Sequence, residues 1–521
     1  MIFLLPGNGL KAPTACGLWL VFAGFLLQTA CAQPVSRAPR SITLQYVLNQ
    51  ALLNNRTLQI ERINPEIARL TLATAKGYYD PLFTTQARHD NFSDPGGIDP
   101  VNPSSPNVGL ALRSDTVSPS LSGYLPSGLT YNFSGNYVHV NGFRNGLNVD
   151  SYRAGAGVSL QQPLLRNSWI DRPRWTIRVN KGEVKVSELG VRFVAMDVLN
   201  RTGQAYYDLV FAWESLEVQN ALLATRETFL QGILKQVQLG RMTSRDENLA
   251  RSQLGSVQIS VIAASNLVAL AGNQIKGLIG STTTNWTEEL LTPADRSILF
   301  PEKFDVATSW SRGLTRRPDL LQLVQKVENA EVSVNFRLNQ LLPAFDLIGS
   351  YARKGSSFLE VFPPDTLPAS SSTAFDEVRS GLFPSHMFGA IFSVPLSFSA
   401  ERANYRASKQ QRAQAQLLVK SAEETILREI SDAIFNVDSS AARIEAASRA
   451  AQFAQEALKG ELEKLQAGAS TVFFVLQLQS DLASAQTSEL LARRDYLRAV
   501  FQLQFSEGTL LDQRGLVLEL K

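Results

Sequence analysis

Two stretches of this chain, 262 residues apart, carry nearly the same pattern. Residues 51–83 read ALLNNRTLQIERINPEIARLTLATAKGYYDPLF, and residues 313–345 read GLTRRPDLLQLVQKVENAEVSVNFRLNQLLPAF. At that one offset Leu52 meets Leu314, Leu58 meets Leu320 and Glu66 meets Glu328. Ala68 meets Ala330, Pro81 meets Pro343 and Phe83 meets Phe345. An internal duplication of this size constrains the fold more than any single motif does.

The repeat continues at shifted offsets. Gln162-Pro163-Leu164 matches Val394-Pro395-Leu396 at 232, and Gly240-Arg241-Met242-Thr243 matches Gly468-Ala469-Ser470-Thr471 at 228. Ser252 and Leu254 match Ser480 and Leu482 at the same 228. The drop from 262 to 232 puts 30 extra residues into copy one, between its first two blocks. The next segment differs by only four. A nearly fixed length is what a helix packed along its whole length requires, and a variable one is what an exposed loop allows.

Composition excludes more than it selects. A net charge of +3 over 521 residues, with no Lys/Arg cluster mixed with aromatics, is no nucleic-acid footprint. Near the N-terminus Lys11 precedes the apolar run Gly17–Leu27, and Ala30-Cys31-Ala32 follows as a cleavage pattern. Residues 1–32 therefore read as a signal peptide. The apolar run falls short of the roughly 20 residues a spanning helix needs. Thr29-Ala30-Cys31 also resembles the end of a lipoprotein box, which makes Cys31 a candidate for lipidation, although Gln28 stands where that pattern has an aliphatic residue. The only cysteines are Cys16 and Cys31, so cleavage after Ala32 leaves no disulfide. Beyond the signal no stretch of 18 apolar residues appears, and no transmembrane helix is expected.

The period of the pattern changes twice in each copy. Residues 42–77 read as a helix capped by Ser41, with a kink or break expected at Pro65. Residues 82–92 and roughly 129–163 have strand character: Tyr131, Phe133, Gly135 and Tyr137 share one face, and Asn132, Ser134 and Asn136 the other. Between them Asp94-Pro95-Gly96-Gly97, Pro100, Pro103 and Pro106 read as a long loop. In copy two Phe345, Leu347 and Tyr351 alternate, then Phe388, Ala390, Phe392, Val394 and Leu396, around a loop with Pro363-Pro364 and Ser370-Ser371-Ser372. Proline-free stretches follow from Arg174 to Leu239 and from Ala403 to Ala467. In the second, Ile426, Ile430, Ala433, Val437, Ala441 and Ile444 form a coiled-coil-like seam. Shorter helices at 243–279 and 315–341 are expected to stack end to end beside a long one, and 472–506 with 42–77 likewise.

Each copy thus offers a short helix, a strand pair, a long helix, a glycine turn and a returning helix. Repeat one spans 42–279, with its strand pair at 82–163 and its hairpin tip near 240. An inter-repeat segment covers 280–312; repeat two spans 313–510, with its strand pair at 343–398 and its tip near 468; a tail runs 511–521. A strand pair leaves its edges unpaired. Outer-membrane barrels take even strand numbers from 8 upward, so four strands per chain predict an oligomer.

The blocks ending at Asp80-Pro81-Leu82 and Leu342-Pro343-Ala344 resemble the TolC-type outer-membrane factor family. Gln162-Pro163-Leu164-Leu165-Arg166, Val394-Pro395-Leu396 and Leu465-Gln466-Ala467-Gly468 add to the likeness. It covers nearly the whole chain beyond the signal, and its strength lies in the duplicated order of the motifs. The resemblance implies an α+β membrane protein. A homotrimer forms a 12-stranded outer-membrane β-barrel, continued by a long α-helical barrel in the periplasm. The product is a passive channel-tunnel, the outer component of a tripartite efflux pump or type I secretion system. A periplasmic adaptor and an inner-membrane transporter are its partners, and outer membrane lipid surrounds it. No nucleic acid, no cofactor and no catalysis are implied. The alternatives are a periplasmic coiled-coil adaptor and a structural outer-membrane protein without transport.

Site residues follow from the same resemblance. Tyr131, Phe133, Phe345, Phe388 and Phe392 are expected to face lipid. Trp169 and Trp175 fit either an interface girdle or packing between helices. Leu239, Gly240, Arg241, Ala467, Gly468 and Ala469 are the adaptor-docking candidates at the tips. Family members often carry acidic residues six and nine positions beyond the second tip glycine, where this chain has Phe474 and Gln477. A mouth constricted by Phe473 or Phe474 is therefore expected, with Arg245, Asp246 and Glu247 making interchain contacts; packing of both phenylalanines against neighbouring helices is the plainer reading. His89, His139 and His386 have no partner at metal-ligand spacing, and no phosphate-binding glycine motif occurs, so enzyme chemistry is not expected.

Overall fold

The fold is taken from a computed structural model. It describes residues 38–97, 109–144, 147–281, 286, 289–295, 303–362 and 365–516. The expected signal peptide and the lipidation candidate Cys31 lie outside the described residues, as does most of the loop with Pro100, Pro103 and Pro106.

A short strand β1 (Ala38–Ile42) leads into helices α1 (Leu44–Asn54) and α2 (Arg56–Lys76). Strands β2 (Leu82–Asp94), β3 (Leu110–Tyr124), β4 (Thr130–Arg144) and β5 (Leu147–Pro163) follow, then α3 (Arg172–Gln238) and α4 (Ser244–Leu278). Strand β6 (Glu289–Pro293) pairs in parallel with β1 between the repeats. Repeat two has α5 (Val306–Arg316), α6 (Pro318–Asn339) and β7 (Ala344–Phe358). Its outer segment holds the small hairpin β8 (Glu360–Phe362) and β9 (Asp365–Leu367), then α7 (Ser371–Ser380). Strand β10 (Phe383–Ser393), α8 (Ser399–Gln466), α9 (Val472–Ser506) and α10 (Leu510–Gln513) complete it.

The first correction concerns the sheet. Among the described residues repeat one supplies four strands, not two, and one six-stranded antiparallel sheet runs in the order β10-β7-β5-β4-β3-β2. The expected strand pair at 82–163 is two consecutive hairpins. Four strands per chain, the number behind a twelve-stranded barrel of three chains, is therefore replaced by six. Strand β3 lies inside what reads as loop. Its sequence, LALRSDTVSPSLSGY, is rich in serine and carries Pro119 in mid-strand, both poor strand signals. Gly135 lies under that proline: a Cβ there would sit 3.2 Å from the Pro119 ring.

The second correction concerns the short helices. Pro65 lies buried inside a continuous α2 and breaks nothing. The break falls at Asn55, whose extended backbone (φ −62°, ψ 124°) ends α1 while its side chain accepts from Leu58 N and starts α2. Asparagine offers the backbone this alternative to a helical bond. In repeat two the same break falls at Arg317 (φ −65°, ψ 120°), the residue 262 positions later, followed by Pro318 at the first helical position. The expected single helix 315–341 is thus two.

The third correction concerns stacking. Each returning helix ends on the broken helix of its own repeat, not of the other. Asn55 Nδ2 donates to Leu278 O at the end of α4 (2.9 Å). At the equivalent place, Gly508 beyond α9 lies against the backbone of Arg316. Long helix α3 packs between the α2–α4 stack and the α6–α9 stack, and α8 flanks the latter. At 1.5 Å per residue its 67 residues span roughly 100 Å.

The core follows this layering. One cluster joins α1, α3 and α9 around Leu48, Leu199, Tyr206 and Phe501. A second is the seam of α8, where Ile426, Ile430, Ala433 and Val437 meet Leu320, Tyr496 and Leu503. Ala441 and Ile444 pack partly buried against it, so the expected seam is present along its length.

Candidate functional site: sheet wall, hairpin tips and mouth

Following the ladder from strand to strand separates the two faces of the sheet. Phe83 pairs with Leu121, Leu121 with Phe133 and Phe133 with Val158. Val158 pairs with Tyr351 and Tyr351 with His386. Phe345, Leu347, Phe388 and Phe392 share that face. The other face is polar along the same rows: Thr84 pairs with Ser120 and Ser120 with Ser134, while Asn132 pairs with Ser159 and Ser159 with Ser350. A hollow of about 640 Å³, lined by Ser122, Asn132, Ser159 and Ser350, opens on the polar face, which is therefore the concave one. All five sequence-predicted lipid-facing residues lie on the apolar, convex face, and Phe388 there is 84% exposed.

Farther from the helices, a row of polar groups crosses the same convex face. His89 Nδ1 lies 2.6 Å from Asp115, and His139 Nε2 lies 2.9 Å from Asp150 while its ring stacks on Tyr152. None of the three histidines joins a metal-binding cluster among the described residues.

The quoted motifs meet where the sheet joins the helices. Leu164 N donates to Phe345 O (2.8 Å) and Arg166 N to Pro343 O (3.3 Å), so the two proline motifs lie side by side. Asn167, with φ 66°, donates its backbone N–H to the buried Asn339 Oδ1 (2.7 Å). Arg174 clamps the same turn through Asn167 O and Ser168 O. Trp175 stacks on Phe336 and bonds Ser333, which makes it helix packing; Trp169 is exposed.

The tips are two copies of one device. Gly240 (φ 72°) donates to Val237 O, and Arg241 to Gln236 O. Gly468 (φ 75°) donates to Leu465 O, and Ala469 to Lys464 O. This is the Schellman pattern, in which a left-handed glycine lets the last carbonyls of a helix be satisfied. Leu239, Arg241, Ala467 and Ala469 surround the glycines on open surface. Between the two hairpins lies a groove of about 1170 Å³ lined by Phe229, Met242, Leu465 and Gln479.

Beyond the turn the copies part. Thr243 opens α4 with a capping box: Asp246 Oδ2 accepts from Thr243 N and Oγ1, and Thr243 Oγ1 from Asp246 N. Glu247 pairs with Arg251 at 2.6 Å, and Arg245 is exposed. Two of the three expected interchain charges thus have partners on their own helix. In copy two Thr471 makes no side-chain cap, and Ser470 donates to Glu461 instead, which holds that carboxyl below its ordinary value. Phe473 and Phe474 meet edge to face at 5.7 Å, and both are more than half exposed while Val472 and Val475 beside them are buried. Within one chain neither phenylalanine is core.

Two features have no counterpart in the sequence reading, and a third, in α4, departs from the expectation of no helix apolar enough to cross a membrane. Arg226 is buried in α3, where Nη2 donates to Leu476 O (2.6 Å) and Ser480 Oγ (2.7 Å), while Nε and Nη1 find no acceptor. Burial pushes its pKa down. Gly280 and Gly508, both left-handed and 228 residues apart, mark the two helix junctions; the shared offset is a signal the sequence carries. Helix α4 has an 18-residue window of mean hydropathy 1.7, long and apolar enough to cross a membrane by composition. Its side chains Ile259, Ile262 and Leu270 stand exposed along the edge of the helical layer.

Comparison with known proteins agrees with this geometry. Residues 310–509 match the family model described as Outer membrane efflux protein. Outer membrane efflux protein BepC of Brucella suis is 23% identical over 420 residues, covering 80% of this chain and 84% of that relative. Outer membrane protein TolC of Salmonella enteritidis is 20% identical over 392 residues, covering 73% of this chain and 74% of the relative. The Campylobacter jejuni CmeC outer membrane channel superposes with a TM-score of 0.62 at 17% identity, over 90% of this chain and 86% of that one. Alongside the duplicated hairpins and the two-faced sheet, these matches make the chain similar to outer membrane efflux proteins over most of its length.

Proposed function

We propose that this chain is the outer-membrane duct of an export machine, the outer component of a tripartite efflux pump or type I secretion system, built as a homotrimer. The observation that carries the assembly is that both layers end in unpartnered edges. In the helical layer, Ile60, Ile63, Ile67 and Leu70 of α2 continue the exposed stripe of α4 along one edge. Leu417, Phe435 and Phe453 of α8 stand exposed along the other, at a spacing of 18 residues that returns to one helix face. In the sheet, β2 and β10 are the open edges. A chain this size exposing so much apolar surface fits an interface, and a ring of copies buries each edge against its complement.

In that ring the convex face with Tyr131, Phe133, Phe345, Phe388 and Phe392 meets lipid, and the concave polar face lines water. A closed barrel satisfies every backbone group in the bilayer. The helices continue the duct into the periplasm. The tips at Gly240 and Gly468 meet a periplasmic adaptor, with the groove between the hairpins as its seat. Phe473 and Phe474 narrow the mouth, and Arg245 reaches a neighbouring chain. The inner-membrane transporter supplies energy; the duct performs no catalysis.

Extraction of outer membranes with detergent, native mass measurement and planar-bilayer recording test this together. The expected result is a conducting trimer. A non-conducting monomer in the soluble periplasm overturns it. At the mouth, Phe474→Ala is expected to raise conductance, and an unchanged value removes Phe474 from the constriction.

A further inference from the structure

We infer that the wall this chain contributes to the outer membrane is six strands wide, so that three copies close an eighteen-stranded barrel. The inference rests on the trimeric duct proposed above, and it concerns the extra hairpin β2–β3 of repeat one, which outweighs the β8–β9–α7 segment of repeat two and leaves repeat one the longer.

Four observations make β2 and β3 wall and not ornament. Both pair in the continuous sheet, β2 with β3 from Leu82 to Asp94, and β3 with β4 from Leu110 to Val117 and again from Ser120 to Tyr124, on either side of Pro119. Second, all six strands are 11–17 residues long, and spanning takes about 9–11. Third, the hairpin carries the apolar belt of the convex face to the sheet's edge at the level of Phe133, through Leu121 and Phe83. On the same face, the polar row above the belt also continues across it, with His89 and Asp115 level with His139. A hairpin folded away from the membrane needs neither the belt nor its boundary.

Fourth, the edges match. The six strands alternate in direction, so β2 leaves the helices and β10 returns to them. A neighbour's β10 beside β2 therefore makes an antiparallel pair, of 11 residues against 13. Closure of this kind removes both open edges. Barrel diameter grows roughly in proportion to strand number, so eighteen strands make an outer opening about half again as wide as twelve do. The surplus width lies wholly in the barrel, because the helical layer keeps the same two hairpins per chain. The outer opening is thus relieved as a constriction, and selection by size falls to the periplasmic mouth.

The turn between β3 and β4 lies at the helix end of the sheet, where Leu125 N bonds Leu129 O and Gly128 sits against Asn167. The hairpin can therefore be excised: deleting residues 82–129 joins Pro81 to Thr130 with the strand direction kept. Imaging the detergent-extracted full chain at a resolution that separates strands is the decisive test. Eighteen strands around a three-fold axis is the expected result. Twelve, with β2–β3 outside the wall, overturns the inference, and an assembly without three-fold symmetry overturns the trimer instead. In bilayers, the largest neutral polymer that enters from the outer side is expected to be about one third smaller in diameter for the deletion trimer. An unchanged limit for a folded deletion trimer also counts against the wider barrel; if the deletion does not assemble, the strand count of the full chain decides.

Discussion

Asn55 and Arg317 occupy one position in the two repeats, and each breaks a short helix where the returning helix of its own repeat arrives. Asn55 does so with a single amide, Oδ1 accepting from Leu58 N (3.2 Å) and Nδ2 donating to Leu278 O (2.9 Å). Arg317 does so with charge, pairing Asp319 at 2.7 Å and Glu429 at 2.5 Å from a nearly buried site. Asn55→Ala removes a helix cap and the contact to the end of α4. Caps of this kind contribute about 1 kcal/mol, up to about 2. A fall in stability of that size in chemical denaturation is expected, with no change in conductance.

Left-handed glycines at the tips and at a helix junction separate two costs. At Gly468 (φ 75°) and Gly240 (φ 72°) an added Cβ meets nothing within 4 Å, so alanine there carries only the conformational cost, roughly 1–2 kcal/mol. At Gly280 (φ 67°) the same Cβ falls 2.4 Å from Asn54 O, a backbone atom. Gly280→Ala is therefore expected to destabilise well beyond Gly468→Ala, because α1 and the end of α4 must move apart. Thermal melts of the two variants in one detergent give the comparison, and equal losses refute the junction's tightness.

Tyr206 ties the same region to alkaline pH. Its phenol is buried and lies 3.3 Å from Ile42 O and 3.4 Å from Asp295 Oδ2. Burial, and then the Asp295 charge, push its pKa up from 10.0. A group whose pKa is raised by folding stabilises fully below its unfolded value and loses that contribution as pH climbs above it. Stability is thus expected to fall steeply from about pH 10 upward. Tyr206→Phe has no proton to lose there, and its melting temperature is expected to fall less between pH 9 and 11 than that of the parent.

How much of this was legible in the sequence varies by element, and for physical reasons. The seam Ile426–Ile430–Ala433–Val437 could be read because burial there follows one helix period. The tip glycines could be read because one backbone conformation is needed twice at one offset. Strand β3 could not: the residues it places on the polar face are mostly serine and threonine, and Pro119 breaks the pattern a strand is recognised by. The break at Asn55 was masked because Pro65 is the louder local signal, yet a proline with its ring buried against neighbouring helices can be carried in a continuous helix. The stacking partners of the returning helices depend on contacts between distant segments, Leu278 with Asn55 and Gly508 with Arg316, which no local pattern encodes. Of the mouth, the exposure of Phe473 and Phe474 became visible only once Val472 and Val475 were seen to take the core side of α9.

Arg226 belongs to that last class, and its replacement is the sharpest test of how the lower hairpins are held. A guanidinium 2% exposed is bound by one carbonyl and one hydroxyl, with no carboxylate against it and two nitrogens without an acceptor among the described residues. Taking a charge out of water costs several kcal/mol, and neutral acceptors return only part of that. Leu476 O and Ser480 Oγ already bond each other within α9 at 3.3 Å, so neither is orphaned when the arginine goes. Arg226→Met keeps the length of the side chain and removes the charge. Its stability is expected to equal the parent's or exceed it by about 1–4 kcal/mol, measured as the shift in denaturation midpoint. A loss of more than about 2 kcal/mol means that the two hydrogen bonds outweigh the buried charge.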